Sequence, residues 1–342
     1  MMKMKPIVVI AAVLFVVTLM IPTLLVLPFS EEKASGKLGE QLTKKAEEVE
    51  VKETLEPAVE VAVYRTAAKQ LEKPSLEEYI VGVVASEMPA DFEHEALKAQ
   101  ALTARTYIVK QMMSEEKVGV PKGAIVTDTV QHQVYKSEAE LKKQWGKDYK
   151  WKIKKVREAV NATAGQILTY DGQPISATFF STSNGYTEDS GAIWPNKLPY
   201  LKSVESPWDL NSPKFKGQNI FSISEFQSKL GVTLPNDQTI GKVIERTEGN
   251  RVAKVDINGK VLTGKEIREA LGLKSTDFTW EKRGDKIVIS TKGFGHGVGM
   301  SQYGANGMAA EGKTYKDIVE YYYKGTKVAE ASKYLNKVMA KK

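Results

Sequence analysis

Apolar residues dominate positions 7–29, where only threonine and proline interrupt them. As a helix, this stretch would be about 35 Å long at about 1.5 Å per residue, enough to cross a hydrocarbon core of about 30 Å. Two lysines precede the stretch and two glutamates follow it, so the positive-inside rule places the N-terminus in the cytoplasm. We predict a cytoplasmic tail at 1–6, an uncleaved single-pass anchor at 7–29 and an exported remainder. A cleaved signal peptide is the alternative.

The pattern changes after the apolar stretch. Residues 30–57 are dense in glutamate and lysine and poor in bulky apolar residues, which is typical of a solvated linker. A folded domain is predicted over 58–330, with about 221–290 as a smaller subdomain or insertion, and a basic C-terminal tail over 331–342. Helix-like and strand-like patterns follow one another irregularly within this domain. The predicted fold class is therefore α+β, with a long substrate cleft.

The first helix of the domain begins at a capping box formed by Ser75 and Glu78. Apolar residues then recur at helical spacing up to Val84, and Glu87 falls on the same stripe. Pro89 ends the helix two residues later. The pattern therefore places a carboxylate in the last turn, on the face where apolar side chains are expected.

Both features of this position disfavour an ionised Glu87. An apolar surround and the negative end of the helix dipole each raise the pKa of a carboxyl group, and one pKa unit corresponds to about 1.4 kcal/mol. A carboxylic acid that keeps its proton near neutral pH is suited to general acid catalysis. Glu87 is therefore the candidate catalytic acid. The alternative is a residue on a frayed last turn that points into water.

A second helix is predicted over 94–112, with an alanine-rich surface that permits close packing. Arg105 on this helix could steady a developing negative charge or bind a substrate carboxylate through its planar guanidinium. The alternative is an exposed arginine without a specific role. Other elements are predicted at 59–65 (strand), 151–164 (helix), 166–170 with 175–180 (hairpin around Asp171–Gly172), 223–230 (helix), 252–257 (strand) and 264–271 (helix).

Two irregular stretches carry further candidates. Tyr200 and Lys202 lie in a proline-rich stretch with Trp194 and Trp208, and aromatic rings on loops can pack against the C–H faces of sugars. Core positions for the two tryptophans are equally compatible with the pattern. The second stretch is 293–304, where glycine occupies positions 293, 295, 297 and 299.

Alternating glycines allow positive φ and a close approach of the backbone to a ligand. Their spacing is neither that of a phosphate loop nor that of a dinucleotide fingerprint. Between them His296 would be exposed and orientable, as would Gln302 and Tyr303 at the start of the following helix. A purely structural glycine-rich turn is the alternative.

Composition narrows the chemistry. The 342 residues include 49 Lys and Arg against 42 Asp and Glu, and the net charge of +7 suits an anionic partner. The chain contains no cysteine, which excludes disulfides and thiolate metal sites. Its three histidines are far apart in the sequence and do not form a metal-binding motif. A metal enzyme is therefore disfavoured.

Three segments together resemble the stage II sporulation protein D family: 76–89, 98–107 and 293–305. The stretches 262–268 and 321–323 fit the same family, and the resemblance extends over 59–328. It implies a peptidoglycan lytic transglycosylase that acts in septal thinning and engulfment during sporulation. Such an enzyme cuts the β-1,4 bond between N-acetylmuramic acid and N-acetylglucosamine in peptide-stripped strands and leaves 1,6-anhydro ends.

By this resemblance Glu87 occupies the position of the catalytic acid. Arg105, Tyr200 and Lys202 are assigned to gripping the glycan or orienting Glu87, and His296, Gln302 and Tyr303 form a second tier of substrate-binding residues. The implied partners are the peptide-stripped strands and the septal amidase, stage II sporulation protein P, with its membrane complex. The implied location is the mother-cell septal or engulfing membrane, and no nucleic acid is involved.

The sequence departs from the family pattern at two places. Some relatives have a Cys and His pair that can hold zinc, but here His132 has no cysteine partner, so we predict no bound metal and no cofactor. The loop after residue 180 lacks a histidine, so Ser181 and Ser183 are interpreted only as loop residues near substrate. Two other functions remain open: a non-catalytic scaffold that enhances an amidase, and a hydrolase that pairs Glu87 with Glu188 or Asp189.

Overall fold

The computed structural model describes residues 59–340. The predicted tail, anchor and linker at 1–57 lie outside this range. Within it, no helix has the length and apolar character needed to cross a membrane.

Helices and short strands are mixed along the described chain. The helices are α1 Leu76–Glu87, α2 His94–Met113, α3 Glu138–Trp145, α4 Tyr149–Asn161, α5 Ile223–Leu230, α6 Gly264–Leu271, α7 Gln302–Ala310, α8 Tyr315–Tyr322 and α9 Ser332–Met339. The strands are β1 Val63–Arg65, β2 Gln70–Glu72, β3 Val126–Thr127, β4 Gln166–Tyr170, β5 Gln173–Pro174, β6 Phe179–Phe180, β7 Lys216–Ser222, β8 Lys242–Arg246, β9 Val252–Ile257, β10 Lys260–Thr263, β11 Asp277–Arg283, β12 Lys286–Lys292, β13 Met300–Ser301 and β14 Lys327–Glu330. The α+β class is confirmed, whereas the long cleft stays a prediction.

Helix α2 runs through the main hydrophobic core. It packs against α1, α4, α7, α8 and β4, so it is covered on nearly every side. Its alanines at 96, 99, 101 and 104 are fully buried. Small side chains let the neighbouring helices approach closely, and the predicted alanine-rich packing surface is thereby confirmed.

Helix α1 begins and ends where its sequence predicts. The Ser75 side chain accepts a hydrogen bond from the Glu78 N–H, and the helix ends at Glu87, before Pro89. The reciprocal half of the predicted capping box is replaced by another contact, because the Glu78 carboxylate accepts hydrogen bonds from the two terminal guanidinium nitrogens of Arg157 on α4. This contact ties the start of α1 to α4.

The sheets are small, and each has two or three strands. The predicted hairpin forms around Asp171–Gly172, but its second strand is only Gln173–Pro174. The chain then leaves this sheet, and Phe179–Phe180 pairs in parallel with Met300–Ser301. Residues 179 and 180 are therefore held against the start of α7, not against β4. The strand predicted over 59–65 is likewise shorter, at Val63–Arg65.

A second hydrophobic cluster forms between residues 221 and 289. It lies among two three-stranded sheets, of order β11-β12-β7 and β10-β9-β8, and the helices α5 and α6. The predicted bounds of α6 are confirmed, with Thr263 as its N-cap. At the other end of the domain, the stretch assigned to a basic tail contains α9, whose Tyr334 and Leu335 are buried.

Candidate active site

Glu87 is held by two contacts from distant parts of the chain. Its Oε1 accepts a hydrogen bond of 2.8 Å from the Val134 N–H. Its backbone carbonyl accepts a hydrogen bond of 3.0 Å from Gln302 Nε2. Burial raises the pKa of the Glu87 carboxyl above its ordinary value of 4.5, and the Val134 bond opposes part of that rise. The side chain is partly buried, so it is desolvated without being sealed from a ligand.

The Val134 N–H is aimed by the loop that carries it. Gln133 Oε1 accepts a hydrogen bond of 3.1 Å from the Tyr79 hydroxyl on α1. The ring of Tyr135 stacks on the ring of Tyr79 with 5.4 Å between their centres. Both neighbours of Val134 are thus anchored to the helix that ends at Glu87, and this fixes the donor opposite the carboxyl group.

Gln302 is positioned by a buried carboxylate that the sequence analysis missed. Asp209 is fully buried, and its oxygens accept hydrogen bonds from the hydroxyls of Ser183, Ser206 and Ser301. Burial raises the pKa of the Asp209 carboxyl, and the three serine hydroxyls oppose the rise. Ser301 is the N-cap of α7, so this network fixes the start of the helix from which Gln302 reaches Glu87. Ser183 is therefore a buried structural residue. The backbone carbonyl of Ser181 accepts a hydrogen bond from the Tyr303 N–H.

Ser183 and Ser301 of this network lie 118 residues apart, and no local sequence pattern joins the serines to Asp209. Asp209 lies three residues after Ser206 in a short 3₁₀ turn, Pro207–Asn211. That spacing alone is too common to indicate a buried network.

The glycine-rich segment has the backbone that its composition predicts. Glycines 293, 295, 297 and 299 have φ values of 83°, 123°, 89° and 84°. A Cβ on Gly299 would lie 2.1 Å from the Thr178 carbonyl oxygen. The segment is thus packed tightly against the strand β6 region, and at this position glycine is required for both conformation and space.

We expect Gly299→Ala to lower the free energy of unfolding by about 3 kcal/mol, since an L-residue at positive φ costs about 1–2 kcal/mol and the backbone contact adds a packing cost. Urea unfolding followed by circular dichroism measures the loss. Gly172→Ala is the matched control, because its φ is 71° but a Cβ there meets nothing within 4 Å. Equal losses in the two variants would contradict the role of the close packing.

Arg105 does not lie in the candidate active site. Its side chain is fully buried, with two nitrogens on the Glu77 carboxylate at 2.9 and 2.6 Å. Its guanidinium also donates to the carbonyl oxygens of Thr163, Val160 and Gln166, at 2.8, 3.2 and 3.4 Å. Glu77 lies ten residues before Glu87, about 15 Å along the helix. The assignment of Arg105 to glycan binding therefore has no support from its placement, and a fold-stabilising role replaces it.

Tyr200 is also a packing residue. It is only 6% exposed, and its hydroxyl accepts a bond of 2.9 Å from the Ser176 N–H. Lys202 is partly exposed, with its Nζ 3.2 Å from the Asp189 carboxylate. Tyr200 thus has little surface for a ligand, whereas the Lys202 ammonium is accessible but already paired.

Of the three remaining candidates, His296 lies between the alternating glycines, and Gln302 and Tyr303 follow them. Gln302 contacts Glu87 directly, as described above. The ring of Tyr303 packs edge-on against the ring of Phe92, 4.9 Å between centres, beside the same helix start. His296 packs between the rings of Phe180 and Trp194, each 5.7 Å away. Burial lowers the pKa of His296 to about 4, so its imidazole is neutral at pH 7.

The second carboxylate considered for a hydrolase is sealed in the interior. Glu188 is fully buried, 3.5 Å from Arg251 Nε, and accepts a bond of 2.8 Å from the Thr247 hydroxyl. Asp189 is bound by the Gly191 N–H and by Lys202. Neither carboxylate contacts Glu87 among the described hydrogen bonds.

Comparison with known proteins gives consistent matches. A family model described as "Stage II sporulation protein" matches residues 64–170. The chain is 55% identical to stage II sporulation protein D of Bacillus subtilis (strain 168), covering 99% of this chain and 100% of that protein. It is 53% identical to the protein of the same name from Bacillus amyloliquefaciens, with 99% and 100% covered. A Bacillus subtilis protein named "Amidase enhancer" is 32% identical over 72% of this chain and 39% of its own length.

Proposed function

The chain belongs to the stage II sporulation protein D family of sporulation proteins, and from this premise we propose that it is a peptidoglycan lytic transglycosylase with Glu87 as its acid. Its substrate would be the β-1,4 bond between N-acetylmuramic acid and N-acetylglucosamine in peptide-stripped strands. The observation that supports this most is the setting of Glu87. It is a partly buried carboxyl group with a raised pKa, and both its side chain and its backbone are fixed.

One carboxyl group can serve both proton transfers of this reaction. Protonated Glu87 gives its proton to the glycosidic oxygen as the bond from C1 to that oxygen breaks. The resulting carboxylate then takes the proton of the C6 hydroxyl of the muramic acid residue, whose oxygen bonds to C1. The product is a 1,6-anhydro ring, and Glu87 is protonated again at the end. The Val134 N–H would stabilise the carboxylate between the two steps.

A two-carboxylate hydrolase is less compatible with the site. Such enzymes place two carboxyl groups on either side of the scissile bond. Glu188 is fully buried beside Arg251, where no water or sugar reaches it. The transglycosylase needs no second carboxylate, because the attacking oxygen belongs to the substrate.

The cellular setting is part of the proposal. We propose that residues 7–29 anchor the chain in the membrane around the developing spore, with the domain outside the cytoplasm, and that an amidase supplies the stripped strands. The apolar stretch at 7–29 and the family membership support this setting.

The test is mass spectrometry of peptide-stripped strands after incubation with the full chain. Fragments with 1,6-anhydromuramic ends are expected, and reducing ends in their place would contradict the transglycosylase. A non-catalytic scaffold that stimulates an amidase is the second candidate, favoured by the relative named "Amidase enhancer". A scaffold would leave the strands intact and raise the rate of peptide release by an added amidase.

The raised pKa of Glu87 predicts the pH dependence of strand cutting. The reactive form carries the proton, so kcat/KM should be highest below the raised pKa and should fall as the pH increases through it. Since burial is the main cause, the fall should occur above the ordinary value of 4.5. A pH profile of anhydro-product formation measures it. A half-maximal rate at pH 4.5 or below would contradict the raised pKa.

A further inference from the structure

Four exposed lysines lie together beside the glycine-rich segment, and we call them the lysine cluster: Lys214, Lys216, Lys274 and Lys292. Lys216 and Lys292 are paired across the antiparallel strands β7 and β12, so their side chains leave the sheet on the same face. A Cβ at Gly217, which would point to the face opposite Lys216, would lie 3.8 Å from Lys274 Cδ, so the Lys274 side chain approaches the same end of the sheet from its other face.

Backbone hydrogen bonds fix the cluster against the glycine-rich segment. The Gly293 N–H donates to the carbonyl of Phe215, between Lys214 and Lys216, at 2.7 Å. The Gly295 N–H donates to the carbonyl of Lys274 at 2.9 Å. The positions of the four lysines are therefore set by the fold and not by long flexible loops.

The ammonium groups of the lysine cluster form no ion pair within residues 59–340. None of its four ammonium groups lies within 4.0 Å of a carboxylate of that part of the chain. The neighbouring Asp277 is already used, with Asn184 Nδ2 at 2.9 Å and Arg246 at 3.7 Å from its two oxygens. Like charges held close together repel one another, so an anionic ligand would stabilise this surface.

The lysine cluster adjoins the candidate active site. Lys214 Nζ lies 5.7 Å from the centres of both the Phe294 and the Tyr303 rings. Lys274 Nζ lies 5.1 Å from the Phe294 ring. Tyr303 follows Gln302, the residue bonded to Glu87. The lysine cluster is therefore adjacent to the proposed catalytic residues.

The far side of the lysine cluster borders a groove of about 760 Å³, lined in part by Lys216, Arg246, Thr291 and Lys292. Thr291 is only 2% exposed, and its Oγ1 has no hydrogen-bond partner in the described range. A buried hydroxyl without a partner is costly. Asp277 lines the same groove, so the groove carries charges of both signs, with an excess of positive groups.

We propose that the lysine cluster binds the lactyl carboxylates of N-acetylmuramic acid and so makes the protein prefer glycan strands without stem peptides. This inference rests on the proposed function. In intact peptidoglycan the lactyl carboxyl group is part of the amide bond to the stem peptide and carries no charge. Removal of the peptide exposes one carboxylate on every second sugar. A strand that extends from Glu87 over the cluster brings such carboxylates to the lysines.

The test measures binding without turnover, in the full chain carrying Glu87→Gln. Fluorescently labelled peptide-stripped strands are compared with the same strands after conversion of their carboxyl groups to methylamides. The double change K214Q/K274Q is expected to weaken binding of the charged strands about tenfold, as two exposed charge contacts are lost. On the methylamide strands it should have no effect.

The matched control is K242Q/K286Q, which removes the same charge from exposed lysines of β8 and β12. Lys286 lies six residues from Lys292 on one strand, about 20 Å away. Control binding should equal that of the parent, and circular dichroism should show both variants folded. Equal weakening by the two double changes, or no weakening by K214Q/K274Q, would overturn the inference.

A third arm separates carboxylate from phosphate. If poly(glycerol phosphate) binds through the lysine cluster while methylamide strands bind as tightly as charged ones, the ligand is a polymer phosphate and the inference is wrong. Product formation is scored separately with the wild-type chain. Intact strands there would contradict the proposed activity without changing the carboxylate-dependent binding.

Discussion

Glu87→Gln should lower kcat/KM for anhydro-product formation by about 10²–10⁴-fold, the usual contribution of a general acid. Glutamine keeps the size of the side chain, and its Oε1 can still accept the Val134 N–H bond. What is lost is the proton for the glycosidic oxygen and the base for the C6 hydroxyl. Mass spectrometry of peptide-stripped strands measures the effect, with product below detection as the expected result.

The same change should not weaken the fold. Burial raises the pKa of Glu87, so the unfolded chain ionises at a lower pH than the folded one. Folded stability therefore falls as the pH rises from the unfolded pKa to the folded one, and above that range the cost remains constant. A neutral glutamine removes this cost, so at pH 7 the variant should unfold at an equal or higher temperature than wild type.

Glu188→Gln is the matched control, because it also removes a buried carboxylate whose pKa is raised by burial. Its partner Arg251 would lose a neutralising charge, so this variant should be less stable. It should nevertheless produce anhydro ends in proportion to the folded fraction. Full anhydro-product formation by Glu87→Gln, or its loss in fully folded Glu188→Gln, would contradict Glu87 as the single catalytic acid.

Arg105→Ala should lower the free energy of unfolding by about 3 kcal/mol, because it leaves a buried pair without one partner. The carbonyls of Thr163 and Val160 and the Glu77 carboxylate would all lose their donor. Glu77 is 37% exposed, so water would solvate part of it and keep the loss at the lower end of the usual range. Urea unfolding measures the change, and anhydro-product formation per folded molecule should stay near the wild-type value.

Arg157→Ala is the control for this second prediction. Arg157 also binds a glutamate at the start of α1, but its side chain is 36% exposed and Glu78 is 50% exposed. Such surface pairs contribute about 0–1 kcal/mol. A loss in Arg157→Ala as large as that in Arg105→Ala would show that burial is not the cause. Loss of activity in folded Arg105→Ala would instead restore the glycan-binding role.

The sequence predicted the structure best where all the determining residues lie within one short segment. The cap at Ser75, the apolar stripe and Pro89 together predict helix α1 and place Glu87 at its end, because each acts within a few residues. The turn at Asp171–Gly172 is likewise determined by adjacent residues. The pairing of the predicted strand 175–180 is not, since residues 179 and 180 pair with a strand more than a hundred residues away.

The sequence was least informative where a side chain has a distant partner. A helical position shows that Arg105 can bind a carboxylate, but nothing in the pattern indicates Glu77, 28 residues earlier, as that carboxylate. The same reasoning applies to Asp209 and its serines. The Val134 contact is made by a backbone N–H in a polar loop, and sequence patterns do not report where a backbone donor points.

The residues that hold Glu87 are synthesised at different times. Val134 lies 47 residues after the glutamate, and Gln302 lies 215 residues after it. Since ribosomes deliver a chain from its N-terminus, the acid is made long before the residue that holds its carbonyl. Until Gln302 is made, the Glu87 carbonyl lacks this donor, although Pro89 already ends α1. The proposed catalytic acid therefore gains its full set of contacts only near the completion of synthesis.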